Sequence, residues 1–233
     1  MKTENECNDI LSMVTHDLKS PLSAAMGALE MLSEDNLAKS DKKECIKIAR
    51  NATNNIMKLV EDILVMAKHE AGKEHIEPIK VEDLDRYIDE IVQTFKYQMR
   101  VKNIDFKLKI DEKLPEVYWD IDKIKYHVIN NIVSNALKFT QDDGNISMKV
   151  ENRDNKEIVI KIKDDGIGIS KNKRKNIFRK FDTHDNKKVY KGTGLGLYNA
   201  YCFVQKHCGE IKVIDGLNGE GIGFKITLPV KAM

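Results

Sequence analysis

The sequence predicts an α-helical hairpin followed by a larger α/β domain. Three observations support this fold class. Apolar residues in the first third recur at heptad spacing, and a segment of little periodicity from His69 to Pro78 then interrupts the chain as a candidate linker. Beyond it, helical and strand periodicities alternate. We therefore place the domain boundaries at residues 1–72 and 73–233.

The first predicted helix has one apolar face. Its apolar residues are separated by seven, four, three, four and three positions: Leu11, Leu18, Leu22, Ala25, Leu29 and Leu32. The polar segment from Ser33 to Asp41 contains turn and capping residues, so the helix should end there.

A second helix with the same character should follow. Its apolar residues are Cys45, Ile48, Ala52, Ile56, Leu59, Ile63 and Met66. Two such helices joined by a short turn form an antiparallel hairpin. One hairpin cannot cover both apolar faces, so we expect a homodimer that completes a four-helix bundle.

The remaining chain predicts an α/β sandwich of one sheet and about three helices. Helices are expected at Val81–Val101, Ile121–Phe139 and Leu195–His207. Strands are expected at Ile104–Ile110, Ile146–Val150, Ile158–Lys163, Glu210–Asp215 and Gly223–Pro229, the last two forming a hairpin.

Composition excludes several classes of protein. The 233 residues contain 39 Lys+Arg and 37 Asp+Glu, a net charge of +2, which argues against a nucleic-acid binder. No apolar stretch is long enough for a membrane segment, and the polar N-terminus lacks a signal core, so we expect a cytoplasmic protein. The cysteines form no CxxC pair and are expected to be reduced thiols: Cys7, Cys45, Cys202 and Cys208.

His16 is the first candidate for chemistry. It lies on a polar stripe beside the apolar face, so it should be exposed to solvent. The carboxylate of Asp17 would accept the proton of one ring nitrogen, which makes the other nitrogen a better nucleophile. Pro21 removes a backbone hydrogen bond just beyond His16 and should bend the helix. An ordinary surface histidine is the alternative.

A second candidate is the polar face of the helix containing NNIVSNALKFT. Asn131, Asn135 and Lys138 stand at i, i+4 and i+7 and therefore share one face. Two amides and an ammonium suit Mg²⁺ and phosphate oxygens. A solvated helix face is the alternative interpretation.

Two glycine-containing motifs follow. In DDGIGIS, Gly166 and Gly168 permit close approach to a ligand, and Asp164 would accept a hydrogen bond from an amino group such as that of adenine. In GTGLGLYNA, Gly194 and Gly196 open a helix whose N-terminus attracts phosphate. The segment between them has nine Lys and Arg residues, as in a lid over a polyanion or a solvated basic loop.

The order of these motifs resembles the two-component sensor histidine kinases. HDLKSPL, NNIVSNALKFT, DDGIGI, IFRKF and GTGLGL are similar to the H, N, first glycine, F and second glycine boxes of that family. The resemblance covers nearly the whole chain. It implies a dimerisation and histidine phosphotransfer hairpin of the HisKA type and an ATP-binding domain of the Bergerat (GHKL) fold.

The resemblance also implies a role for each residue. His16 would be the phosphoacceptor and Asp17 the acid beside it, while Ser20 stands where dephosphorylating members have Thr or Asn. Asn135 would bind Mg²⁺ and Asp164 the adenine. The remaining nucleotide-binding residues would be Asn131, Lys138, Gly166, Gly168, Phe178, Phe181, Gly192, Thr193, Gly194, Leu195 and Gly196.

The function implied is autophosphorylation of His16 by ATP, followed by transfer to an aspartate of a response regulator receiver domain. ATP and Mg²⁺ would be the cofactors, and a sensor domain or sensory partner outside this chain would supply the signal. We expect a transmitter core, either free in the cytoplasm or part of a longer membrane-associated sensor. The alternatives are a non-kinase GHKL-type ATPase clamp and a degenerate dimeric scaffold.

Overall fold

The computed structural model describes residues 2–34, 36–182 and 193–231, and for residues 2–11 and 13 only the backbone. The chain divides into two compact units, Met1–Glu70 and Ala71–Met233. Among the described helices, none has the length and apolar character needed to cross a bilayer.

The first unit is the predicted helical hairpin. Helix α1 (Lys2–Leu32) packs against α2 (Lys39–Glu70). The side chains buried between them include a heptad series on α2 and two small residues on α1: Cys45, Ala52, Leu59, Met66, Ala25 and Ala28. The alanines allow close approach of the two helices.

The hairpin leaves two apolar stripes exposed. On α1, three apolar side chains spaced by four and three residues are about half exposed, and α2 presents a similar stripe. These residues are Leu22, Met26, Leu29, Met57, Val60 and Leu64. The apolar face predicted for α1 is thus divided, because Ala25 points toward α2 while Leu22 and Leu29 point outward.

The described residues of the second unit form seven strands and several helical segments. In chain order they are β1 (Ile79–Val81), α3 (Leu84–Val101), β2 (Asp105–Ile110), β3 (Val117–Trp119), α4 (Ile121–Lys123), a π-helical segment (Ile124–Ile129), α5 (Asn130–Phe139), β4 (Asn145–Arg153), β5 (Glu157–Asp164), α6 (Gly196–Lys206), β6 (Glu210–Asp215) and β7 (Ile222–Pro229).

The main sheet has the strand order β2-β4-β5-β7-β6. Only the β2–β4 pair is parallel. One face is apolar and buried, with residues such as Ile146, Met148 and Val150, and helices α3, α5 and α6 contact the sheet. This arrangement is the predicted α/β sandwich.

A second, two-stranded sheet was missed. The first helix of this unit begins at Leu84 rather than Val81, because Ile79–Val81 pairs antiparallel with Val117–Trp119. The prediction of a single sheet was therefore wrong. Strands of three residues are too short to show a periodicity, and their pairing joins segments almost 40 residues apart.

The segment predicted as a linker is structured only in part. Helix α2 extends through Glu70, and Glu74 is buried with its Oε1 2.6 Å from Nζ of Lys123. The backbone N–H of Glu77 donates to Oδ2 of Asp120 at 3.0 Å. Two residues of this segment therefore bind residues next to β3 and α4, Glu74 through its side chain and Glu77 through its backbone.

His207 is fixed inside the second unit. Its fully buried ring donates from Nδ1 to the carbonyl of Phe203 at 2.8 Å and accepts at Nε2 from the N–H of Asp120 at 3.0 Å. Burial lowers the pKa of His207, because the charged ring would lose its hydration. Both nitrogens are thus used by the neutral ring.

We expect His207→Ala to lower the free energy of unfolding by about 2–4 kcal/mol, since it removes packing and leaves the N–H of Asp120 without its acceptor. Urea unfolding at neutral pH measures the loss. In the wild type the folded-state pKa lies below the unfolded value, so this stabilisation is present above about pH 6.5 and declines below it. An unchanged variant stability, or a loss equal to that of the exposed control His75→Ala, would contradict this role.

Candidate functional site

His16 lies on α1 with its side chain 80% exposed. Its Nδ1 is 3.2 Å from Oδ1 of Asp17, which is one third exposed. Ser20, one turn further, is half-buried. Pro21 lies inside the same helix and has no N–H to donate to the carbonyl of Asp17. The histidine is therefore accessible, and a carboxylate is placed to hold a proton on one of its two nitrogens.

Asn131 is buried, unlike a residue of a solvated helix face. Its amide nitrogen donates to the carbonyl of His127 at 2.8 Å and to that of Gly196 at 3.1 Å. A Cβ at Gly196 would lie 3.2 Å from the Asn131 side-chain oxygen. Asn131 thus connects α5 to the first residue of α6. Asn135 and Lys138, further along α5, are half-buried.

Asp164 ends β5 with its side chain almost fully buried. Its Oδ1 accepts from the N–H of Gly166 at 3.0 Å and of Ile222 at 3.2 Å. Among the described residues, no donor reaches Oδ2. Burial raises the pKa of Asp164 from 3.8 to about 6, although the two backbone N–H groups oppose the shift. One carboxylate oxygen therefore holds the turn, and the other can accept from a ligand.

The glycines of the DDGIGIS turn permit close backbone contacts. A Cβ at Gly166 would lie 2.4 Å from the carbonyl oxygen of Phe139, so only glycine allows this turn to approach the end of α5. Gly168 has a φ of +63° and faces the carbonyl of Gly221. The turn consequently fits between α5 and the loop before β7.

That loop was interpreted from the sequence only as a hairpin turn. A Cβ at Gly221 would lie 2.1 Å from the carbonyl oxygen of Asp164, and one at Gly216 would lie 2.4 Å from it. The N–H of Leu217 donates to the same oxygen at 2.9 Å. The glycines that bracket GLNGEG were the available signal for this contact.

The start of α6 also has defined contacts. Oγ1 of Thr193 accepts from the N–H of Leu195 at 3.2 Å, and the Leu195 side chain is fully buried. Gly194 has a φ of +66°, and a Cβ there would lie 2.7 Å from the backbone of Phe181. Gly192 and residues 183–191 of the basic segment predicted as a lid lie outside the described residues.

The ring of Phe178 packs against β7 and α6 within the second unit. It makes an edge contact with Phe224 of β7 at 6.2 Å between centroids and a tilted contact with Tyr201 of α6 at 5.8 Å. These contacts fix the segment that leads to Phe181. The contacts described above also place the motif residues of α5, β5 and α6 near one another: Asn131 binds Gly196, and Gly166 lies beside Phe139.

Two cavities adjoin these motif residues. One of about 440 Å³ is lined by residues 166–170 and 219–221, beside the Asp164 turn. The other, of about 320 Å³, lies between α3 and α5 and includes Lys138. Neither is lined by Asn135. In the described part of the chain, no three His, Cys, Asp or Glu residues are clustered to hold a metal.

Two family models match the chain. The model described as the His Kinase A (phospho-acceptor) domain matches residues 8–72. The model described as the histidine kinase-, DNA gyrase B- and HSP90-like ATPase matches residues 120–232. Together they contain all the motif residues named above.

Two proteins of similar sequence are named as sensory kinases. The chain is 30% identical over 224 residues to the adaptive-response sensory kinase SasA of Synechococcus sp. (strain JA-3-3Ab), with 95% of this chain and 59% of the relative covered. It is 29% identical over 240 residues to the sensor histidine kinase WalK of Bacillus subtilis (strain 168), with 99% of this chain and 38% of that relative covered. The chain thus spans about two fifths to three fifths of these relatives.

A solved structure shares the fold. The complex of the histidine kinase ThkA with the response regulator protein TrrA contains a chain with a TM-score of 0.71 and 21% identity to this one. The match covers 98% of this chain and 63% of that chain. The likeness therefore extends over both units of the fold.

Proposed function

The chain belongs to the two-component sensor histidine kinases, and on that premise we propose that it is an ATP-dependent protein-histidine kinase that phosphorylates itself on His16. Residues 1–72 would form the dimerisation and phosphoacceptor domain, and residues 73–233 the ATP-binding domain. The single observation that carries the proposal is the exposed His16 ring with the Asp17 carboxylate at its Nδ1.

This geometry supports Nε2 of His16 as the nucleophile in the proposal. With Nδ1–H donating to Asp17, the lone pair on Nε2 is free to attack the γ-phosphorus of ATP. A bond forms between Nε2 and phosphorus, the bond from phosphorus to the β–γ bridging oxygen breaks, and ADP leaves with that electron pair. The ring becomes positively charged as the bond forms, and the Asp17 carboxylate stabilises that charge.

The second unit supplies the nucleotide site in this proposal. The uncommitted Oδ2 of Asp164 would accept from the adenine amino group, and the N-terminus of α6 would attract phosphates. Asn135 fits Mg²⁺ because its side-chain amide oxygen is a hard ligand. It lies one turn beyond Asn131 on α5, and Asn131 donates to the first residue of α6. Mg²⁺ would neutralise charge on the transferred phosphoryl group.

The partner proposed for the phosphorylated protein is a receiver domain of a response regulator. The ThkA structure of the same fold is a complex with such a regulator. In this chain the exposed position of His16 leaves the phosphoryl group accessible to an aspartate of another protein.

Incubation of the full chain with γ-labelled ATP and Mg²⁺ tests the function. A kinase should retain label on the protein, and the label should be lost in acid because phosphorus is bonded to nitrogen. Release of phosphate without labelled protein would indicate an ATPase clamp instead. Neither label nor phosphate release would indicate a scaffold.

We expect Asp164→Asn to reduce the preference for adenine over guanine nucleotides by about 10- to 100-fold, since the amide replaces a charged acceptor. Competition binding with non-hydrolysable ATP and GTP analogues measures the preference. Wild-type affinity should also fall as the pH is lowered through about 6, where Asp164 gains a proton, and the variant should lack this part of the pH dependence. If selectivity matches that of the exposed control Asp154→Asn, the adenine contact is wrong.

A further inference from the structure

Five lysines form a continuous row across the outer face of the main sheet. In the strand register Lys109 pairs with Lys149, Lys149 with Lys161, Lys161 with Lys225, and Lys225 with Lys212. Directly paired residues lie on the same face of a sheet, and neighbouring strands are about 4.8 Å apart. The row therefore spans about 19 Å with one ammonium per strand.

Carboxylates neutralise part of this row. Glu151 lies between Lys149 and Lys161, with its two oxygens 2.5 Å from their ammonium groups. Glu210 lies 2.6 Å from Nζ of Lys212. Three lysines of the row are thus paired with two carboxylates.

The remaining charge of the face is positive. Lys109 and Lys225 have no acidic partner among the described residues. Lys107 and Lys163 lie on the same face in the adjacent register row, where Lys107 contacts Asp105 at 3.1 Å. Like charges directly opposite each other destabilise a sheet, so this row does not serve folding.

The composition of the face indicates its partner. Outward positions of the five strands contain no aromatic residue, and Arg153 is the only arginine there. Single-stranded nucleic acids are bound by aromatic stacking, and protein interfaces are depleted in lysine. Anionic lipid headgroups, in contrast, attract clusters of four to eight basic residues beside a membrane segment or on an amphipathic helix, and this face presents a similar number of lysines. We propose that this lysine face docks the second unit on an anionic lipid surface.

Docking through this face keeps the candidate nucleotide site open. Asp164 points to the opposite, helix-covered side of the sheet, with α5 and α6. Lipid binding and nucleotide binding therefore use opposite faces, and the lipid interaction is independent of the proposed kinase activity.

Co-sedimentation of the full chain with lipid vesicles tests this proposal. The probes are vesicles of phosphatidylcholine alone and of phosphatidylcholine with one quarter phosphatidylserine. The row variant is Lys109→Gln/Lys212→Gln/Lys225→Gln. The control, Lys43→Gln/Lys96→Gln/Lys156→Gln, removes the same charge from exposed lysines elsewhere.

The wild type should bind only the phosphatidylserine vesicles, and more weakly as salt is added. The row variant should bind about 100-fold more weakly, about fivefold for each lysine, while the control stays near wild type. Thermal unfolding should show the row variant at least as stable as the control, because like charges have been removed.

Three results would overturn the proposal. One is the absence of wild-type binding to the anionic vesicles at low salt. Another is equal weakening of vesicle binding in the row variant and the control, which would show that binding depends on the net charge of the chain and not on this face. The third is tighter binding to a duplex oligonucleotide than to the vesicles, with the row variant losing that binding, which would make the face a nucleic-acid surface.

Discussion

We expect His16→Gln to abolish phosphoprotein formation, lowering labelling by at least about 1,000-fold, because the only proposed acceptor nitrogen is removed. Affinity for an ATP analogue should be unchanged, since the motif residues proposed to bind the nucleotide all belong to the other compact unit. Gel-based labelling with γ-labelled ATP and calorimetric titration of the analogue measure the two properties separately.

His75→Gln is the matched control for this experiment. His75 is exposed in the second unit, and the same substitution there should leave labelling at the wild-type level. Retained labelling of His16→Gln would assign the acceptor elsewhere. Parallel loss of labelling and of nucleotide binding would mean that the substitution damaged the fold and would remove the support for His16 as the nucleophile.

The elements that were predicted well bury one side of a regular segment. Seven apolar residues from Cys45 to Met66 predicted α2 by their spacing. Four of them are its buried apolar residues, Cys45, Ala52, Leu59 and Met66, whereas Ile48 is exposed. The alternation in Ile104–Ile110 predicted β2, and the side chains of the observed strand, Asp105–Ile110, alternate between exposed and half-buried. Periodic burial is encoded locally, so it can be detected within a short window of sequence.

The elements that were missed depend on contacts between distant segments. Glu74 binds Lys123, 49 residues away, and Ile79 pairs with Trp119. No local pattern marks either partner, so the linker was expected to be longer than it is. The lysine row has the same origin, because it exists only when five strands are aligned in register.

The candidate site was found through residue types rather than geometry. The motifs located Asp164 and Asn131, but the sequence could not show that the loop containing Gly216 and Gly221 contacts Asp164. Nor could it show that the Asn131 amide donates to carbonyls of two separate segments. Such contacts depend on how the chain closes on itself, which a single sequence does not display.

Leu64→Glu should convert a dimer of this chain into monomers. Leu64 lies in the exposed apolar stripe of α2 with Met57 and Val60, and its side chain is 56% exposed in a single hairpin. Burying it against a second hairpin would contribute about 2 kcal/mol in each protomer of a symmetric dimer. Losing about 4 kcal/mol raises the dissociation constant at least about 1,000-fold. Sedimentation equilibrium of the full chain measures it.

The choice of position separates assembly from folding. Leu59 is only 4% exposed inside the hairpin, so a glutamate there would disrupt the hairpin itself. The control Asn54→Glu adds the same charge on the polar face of α2 and should leave the dimer intact. Circular dichroism should show equal helix content in both variants. A wild-type chain that is monomeric at micromolar concentration, or a Leu64→Glu chain that dimerises as tightly as Asn54→Glu, would show that the exposed stripes are not the dimer interface.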